Sequence, residues 1–350
     1  MARLFILFAL LLAGPAWAAT PADLHALFAD WRRFHDARGA DGVPDYTPAG
    51  NAAREAGLKQ FEARLTAIDT MGWAVADQVD WQLVRAEMNG LKFDLEVAKP
   101  WARDPAWYVS IWSAQSDTPA HEGPVHIAPV ELWQYRFPLA KADAAKLAGE
   151  LAHIPPLLAQ ARGNLTGNAA DIWNASIITL TEQADALRDL QAKVKGHRNA
   201  ERATAAALAA TEDFIAWVKA EAPKKTGPSG VGVEAYNWYL KHVQLSPYSW
   251  ADEVAILSRE LARAHAGLRL EENHHKALPA LTSPANQAEW DAKSLADIDH
   301  FIRYMDETGV ASIQPWMKPE LAKRIGKWLP PEKQNFFAIA QGRAPNSLFA

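Results

Sequence analysis

Apolar residues recur along this chain at intervals of three and four, the period of one face of an α-helix. Leu58, Phe61, Leu65 and Ile68 form one such stripe, and Val84, Met88, Leu91 and Leu95 form the next. Trp173, Ile177, Leu180, Ala184 and Leu187 make a third, extended by Val194, and Leu208, Ile215 and Val218 mark an Ala-rich fourth. Val254, Leu257, Leu261 and Leu268 predict a long helix that Ser249 can cap, with Asp252 and Glu253 in its first turn. Leu295, Ile298, Ile302 and Met305 predict another that stops at Gly309, a residue suited to a left-handed C-terminal position. Alternating β-branched runs are nearly missing, and only Trp107–Trp112 reads as a short strand. The pattern predicts an all-α fold, a bundle-like array of antiparallel helices with long irregular aromatic loops. No repeat of fixed period argues for a solenoid.

Two stretches interrupt the helical period. Residues 99–138 hold Pro100, Pro105, Pro119, Pro124, Pro129 and Pro138 among Trp101, Trp107, Tyr108, Trp112, Trp133, Tyr135 and Phe137. Residues 222–249 run through Gly227-Pro228-Ser229-Gly230-Val231-Gly232 into an aromatic segment. Irregular segments of this length in a helical protein often carry function.

The first 18 residues break the pattern differently. Arg3, the apolar run Leu4–Ala13 and Ala16-Trp17-Ala18 have the three parts of a secretory signal peptide, too short to span a membrane as a helix. Cleavage after Ala18 would deliver one helical domain, residues 19–350, to the periplasm or the medium. The chain has no cysteine, so no thiol nucleophile, lipid-anchor cysteine or Cys-ligated metal is available. A net charge of −5, spread evenly, gives no reason to expect nucleic acid or an anionic membrane as partner. Fifteen tryptophans are many for 350 residues, and large rings filling gaps between helices account for most of such an excess.

Candidate chemistry is sparse. His121-Glu122 and His126 lie five residues apart around Pro124, so no helical turn can aim both imidazoles at one zinc ion as the His-Glu-x-x-His motif does. Glu271-Glu272-Asn273-His274-His275 holds two Glu-x-x-His pairs, but a di-iron bundle needs a second copy on another helix, and a solvated helix end is the plainer reading. The amides of Gly230 and Gly232, ahead of a helix starting near Val233, can face a carboxylate. On that helix Tyr236, Trp238, Tyr239 and His242 offer rings and donors to a ligand, or wedge the helix between its neighbours. Neither a phosphate-binding loop, a dinucleotide fingerprint nor a serine-hydrolase elbow is present.

The string Gly230-Val231-Gly232-Val233-Glu234-Ala235-Tyr236-Asn237-Trp238-Tyr239-Leu240-Lys241, with Pro247-Tyr248 and Trp250 after it, resembles a signature of the bacterial domain-of-unknown-function family 885. Pro44-Asp45-Tyr46, Asp80-Trp81, Asp104-Pro105, Trp107-Tyr108-Val109, Leu157–Leu165 and Arg259–Leu281 fit the same resemblance in order. It implies an exported all-helical protein distantly akin to zinc metallopeptidases of the His-Glu-x-x-His type; some members of the family carry that metal motif, or a derived version, in the second half of a chain roughly twice this domain's size. No position here matches that motif, so no metal ligand carries over, and zinc would come only with a further C-terminal half. The resulting expectation is one wall of a peptide-binding cleft, built from Gly230, Gly232, Tyr236, Trp238, Tyr239 and His242, with His121, Glu122 and His126 on an opposing loop. Such a chain would bind a peptide or another small ligand without hydrolysing it. The alternatives are a non-catalytic periplasmic binding or scaffolding protein, with self-association through the C-terminal region, and carbohydrate binding through exposed tryptophans.

Overall fold

A computed structural model describes residues 19–35, 42–113, 130–279 and 282–330. The leader at 1–18, the loop residues His121, Glu122 and His126, and the tail 331–350 lie outside the described residues. The chain divides into two compact units, Met1–Ser258 and Arg259–Ala350. The all-α expectation is met: helices account for nearly all regular structure among the described residues.

The first unit begins with α1 (Pro21–His35), α2 (Pro48–Thr66) and α3 (Val75–Phe93). Leu24, Leu27 and Trp31 of α1, Leu58 and Leu65 of α2, and Val84, Met88 and Leu91 of α3 share one core. These include the two stripes that the sequence marks, and each buried Leu adds about 2 kcal/mol of transfer free energy. Pro48 occupies the first turn of α2, where its missing N–H costs nothing, and the Thr47 hydroxyl accepts from the Gly50 amide.

After α3 the backbone widens into a π-helical segment, Asp94–Ala98, and turns sharply at Lys99 (φ 44°, ψ 55°) into the one-turn α4 (Pro100–Arg103). The strand expected over 107–112 is shorter than its pattern suggests. Pro105–Tyr108 close a 3₁₀ turn, and only Ile111–Trp112 (β1) pair, in parallel, with Val130–Glu131 (β2). Proline fixes the turn, and the buried Gln183 side chain, not a neighbouring strand, takes the Ser110 and Ile111 amides at 2.6 and 3.1 Å.

The larger core joins α5 (Lys141–Leu151), α6 (Ile154–Asn164), α7 (Ala170–Lys193) and α8 (Arg198–Glu221). Trp173, Leu180, Ala184, Leu187 and Val194 are fully buried, as their spacing predicts, against Leu147, Leu157, Phe214 and Val218. Trp31, Trp101, Trp107 and Trp173 fill core space, which explains part of the tryptophan excess; Trp133, Trp250 and Trp316 stay exposed. α9 (Val233–His242) follows the Gly-rich loop, and α10 (Trp250–His274) opens on a reciprocal cap in which Ser249 and Asp252 exchange hydrogen bonds.

α10 departs from the usual outcome of helical periodicity. It buries no residue, and Val254, Leu257, Leu261 and Leu268 are 42–66% exposed. In the second unit α11 (Gln287–Thr308) is capped by Asn286, ends at Gly309 in the left-handed region as expected, and packs on α12 (Met317–Ala322). The Trp290 and Trp328 indoles donate to the carbonyls of Gly326 and Pro284.

Candidate functional site

The Gly-rich loop is a built structure, fastened along its length. Arg103 Nη2 donates to the carbonyls of Pro228, Ser229 and Gly230 at 3.3, 2.8 and 3.3 Å. Asn168 Oδ1 accepts from the amides of Thr226 and Gly227, and Ser229 Oγ accepts from Asp171 and Ile172, the first-turn amides of α7. Gly227 passes so close to Asn168 that a Cβ there would lie 2.2 Å from its carbonyl oxygen. Gly232 (φ 88°, ψ 158°) then turns the chain into α9 without a side-chain cap.

On α9 the four expected side chains are all half-buried. The Trp238 indole lies parallel to Phe93 of α3 at 6.1 Å, and Tyr239 meets the same ring at 4.9 Å. The His242 ring meets Trp238 at 5.0 Å, tilted by 40°, and its carbonyl accepts from Asn89 of α3. Tyr236 donates its hydroxyl to Glu253 at 2.9 Å, a hydrogen bond that raises its pKa. The helix is therefore wedged on α3 through Phe93 and is also half open. Lys92, Phe93, Glu96 and Val97, together with Ala235 and Trp238, line a cavity of about 270 Å³. Of the residues expected on the wall of a peptide cleft, Trp238 is among those lining this cavity, and Gly230, Gly232, Tyr236, Tyr239 and His242 are not among them.

The π-helical segment that gives Glu96 and Val97 to this cavity also gives Asp94 to a buried polar cluster that sequence reasoning missed. Arg54 of α2 is 8% exposed, with its guanidinium carbon 5.9 Å from the centroids of both the Tyr46 and Trp101 rings. Those rings stack at 6.3 Å with 3° between their planes. Burial pulls the Arg54 pKa below its ordinary value, Tyr46 and Asp94 oppose that, and its Nη1 has no hydrogen-bond partner among the described residues. Burial pushes the Asp94 carboxyl up to about 6, against the pull of Arg54. Asp104 is likewise pushed up to about 6 by burial, opposed by the hydrogen bond it accepts from the Ala106 amide. Tyr108 donates to the Trp101 carbonyl at 2.7 Å and accepts from Asn164 at 3.1 Å; burial raises its pKa. Gln160 ties the Tyr46 amide and the Pro44 carbonyl to α6.

Two perturbed carboxyls, a π-helical segment and a left-handed Lys99 therefore fall within residues 94–104, next to the buried cation that α2 supplies. Such features concentrate at functional sites. A signal was present in the sequence: Arg54 precedes Leu58 by four and Asp94 follows Leu91 by three, so both charges sit on core-facing stripes.

The fold and this site define an all-helical protein with an aromatic helix wedged over an irregular turn. A family described as "Bacterial protein of unknown function (DUF885)" matches residues 30–323, and the chain belongs to that family. Among solved structures the chain is similar to "a putative lipoprotein of unknown function from Shewanella oneidensis", at 14% identity and a TM-score of 0.49. That match covers 85% of this chain and 59% of the other, so the chain spans well under two thirds of that protein's length. No curated protein matches the chain.

Proposed function

We propose that this chain is an exported peptide-binding component of its family, in which α3 and α9 form one wall of a cleft that grips a ligand without cutting it. The observation that carries this reading is the cavity of about 270 Å³, where the Trp238 and Phe93 rings meet Lys92 and Glu96. An apolar floor edged by charge suits a short peptide: a side chain packs on the rings, and a ligand carboxylate would compete for Lys92 with Glu62 and Glu96, which lie 3.7 and 3.8 Å from its ammonium. The pinned loop keeps the entry to α9 in place, and Gly230 and Gly232 remain candidates to meet a backbone carboxylate. Hydrolysis would need a zinc ion held by a region beyond the residues that carry the resemblance, because positioning groups alone supply no activated water. Export rests on the leader-like first 18 residues; no described helix is long and apolar enough to cross a membrane.

The test is titration of the purified chain with a library of short peptides, followed by tryptophan fluorescence and calorimetry, with mass spectrometry of the peptides after incubation with and without zinc. Saturable binding that weakens at least tenfold in Trp238→Ala, with peptides intact, is the expected result. Zinc-dependent cleavage, or binding indifferent to Trp238→Ala, removes the proposal.

A scaffolding reading has one observation of its own, the uncovered stripe Val254, Leu257, Leu261 and Leu268 on α10. If that face pairs with a second copy, sedimentation will show a dimer that Leu257→Asp/Leu261→Asp dissociates. A monomer at every concentration discards it.

A further inference from the structure

The last turn of α10 and the residue after it bring Glu271, His274 and His275 together, and we propose that these three side chains bind one divalent transition-metal ion of the zinc type. Their donor atoms all lie within 4.8 Å of one another. Glu271 Oε2 and His275 Nε2, one helical turn apart, are 3.1 Å from each other, a separation at which a carboxylate and an imidazole can share one ion. The His274 and His275 rings stack beside them, with centroids 4.8 Å apart and planes 14° from parallel. All three side chains are exposed, so small rotamer adjustments can draw the donors inward without disturbing any core. The backbone beneath them is fixed, with the His275 amide bonded to the Glu271 carbonyl and the Leu278 amide to that of His275.

Two further arguments favour a cation here. α10 is 25 residues long and ends at these side chains, where the negative end of the helix dipole attracts positive charge. Two imidazoles and a carboxylate form a donor set that suits zinc, nickel or copper(II), whereas calcium and magnesium prefer all-oxygen shells. Three protein donors leave coordination positions for water or an outside ligand. The sequence pattern of paired Glu-x-x-His fails as a di-iron site because that chemistry needs a second helix; a single ion needs only these three groups. This inference is independent of the peptide-wall reading.

The experiment is calorimetric titration of the untagged full chain with zinc chloride, paired with cobalt(II) titration read by visible absorption. The expected result is one saturable equivalent, with affinity falling at least about tenfold in Glu271→Gln and in His275→Ala, as loss of a donor demands. His265→Ala, on the same helix outside the trio, should leave affinity unchanged, and Glu271→Gln should alter the cobalt spectrum. No saturable binding, or binding that survives His274→Ala/His275→Ala, overturns the proposal. Exposure of all three residues keeps these variants folded, which far-ultraviolet circular dichroism verifies.

Discussion

Replacing Asp94 by Asn should make this protein more stable at neutral pH, although the substitution removes the charge facing a buried arginine. The Asp94 carboxyl stands at about 6 in the folded chain, against an ordinary value of 3.8, because burial outweighs the attraction of Arg54. The native state therefore holds this proton more tightly than the unfolded chain does. Stability from this group is full below about pH 4, falls as pH rises to about 6, and stays lost above that. A shift of about two units at 1.36 kcal/mol each amounts to roughly 3 kcal/mol. Asparagine is neutral and similar in shape to the protonated acid, so it should recover most of that amount at pH 7.5 while differing from the parent by under about 1 kcal/mol at pH 4. Urea unfolding followed by tryptophan fluorescence across pH 4–8 measures both. Asp104, also at about 6, should leave the variant a residual slope of the same sign. A variant that is no more stable than the parent at pH 7.5, or a parent whose stability is flat across this window, would refute the argument that burial governs Asp94.

Three other substitutions probe the surrounding frame. Gln183→Leu strands the Ser110 and Ile111 amides inside the core, while the Thr211 hydroxyl loses a donor but still donates to the Ala207 carbonyl; the change should cost about 3 kcal/mol in chemical denaturation. Gly227→Ala forces a methyl group into the Asn168 carbonyl, and a loss of about 1–3 kcal/mol in the same measurement is expected. Arg103→Met keeps the aliphatic stem but releases the carbonyls of residues 228–230; amide hydrogen exchange over 226–232 should accelerate while the α7–α8 core stays protected.

Much of the fold is legible in the order of residues alone. The stripes at Leu58–Leu65, Val84–Leu91 and Trp173–Val194 become buried helix faces, and the caps at Ser249 and Gly309 fall where their chemistry requires, because helix period and capping are local properties of the chain. α1, α5 and α6 escaped the periodicity reading: α1 and α5 are short, and α6 opens on Ile154-Pro155-Pro156, residues that look like a break but are tolerated in a first turn. The identity of α9 as an aromatic helix was visible, but its seat on Phe93 was not, since that contact joins residues about 145 positions apart.

What the tertiary structure alone decided was burial. Sequence marks Arg54, Asp94 and Gln183 only as polar residues on apolar stripes; packing buries Arg54 against Tyr46 and Trp101, desolvates Asp94 beside it, and sets Gln183 to satisfy the amides at β1. The same stripe pattern on α10 leads to an uncovered face, so periodicity dictates that a helix forms but not what covers it. The physical reason is range. Backbone hydrogen bonds and caps act within a few residues, whereas desolvation depends on every segment the fold brings near.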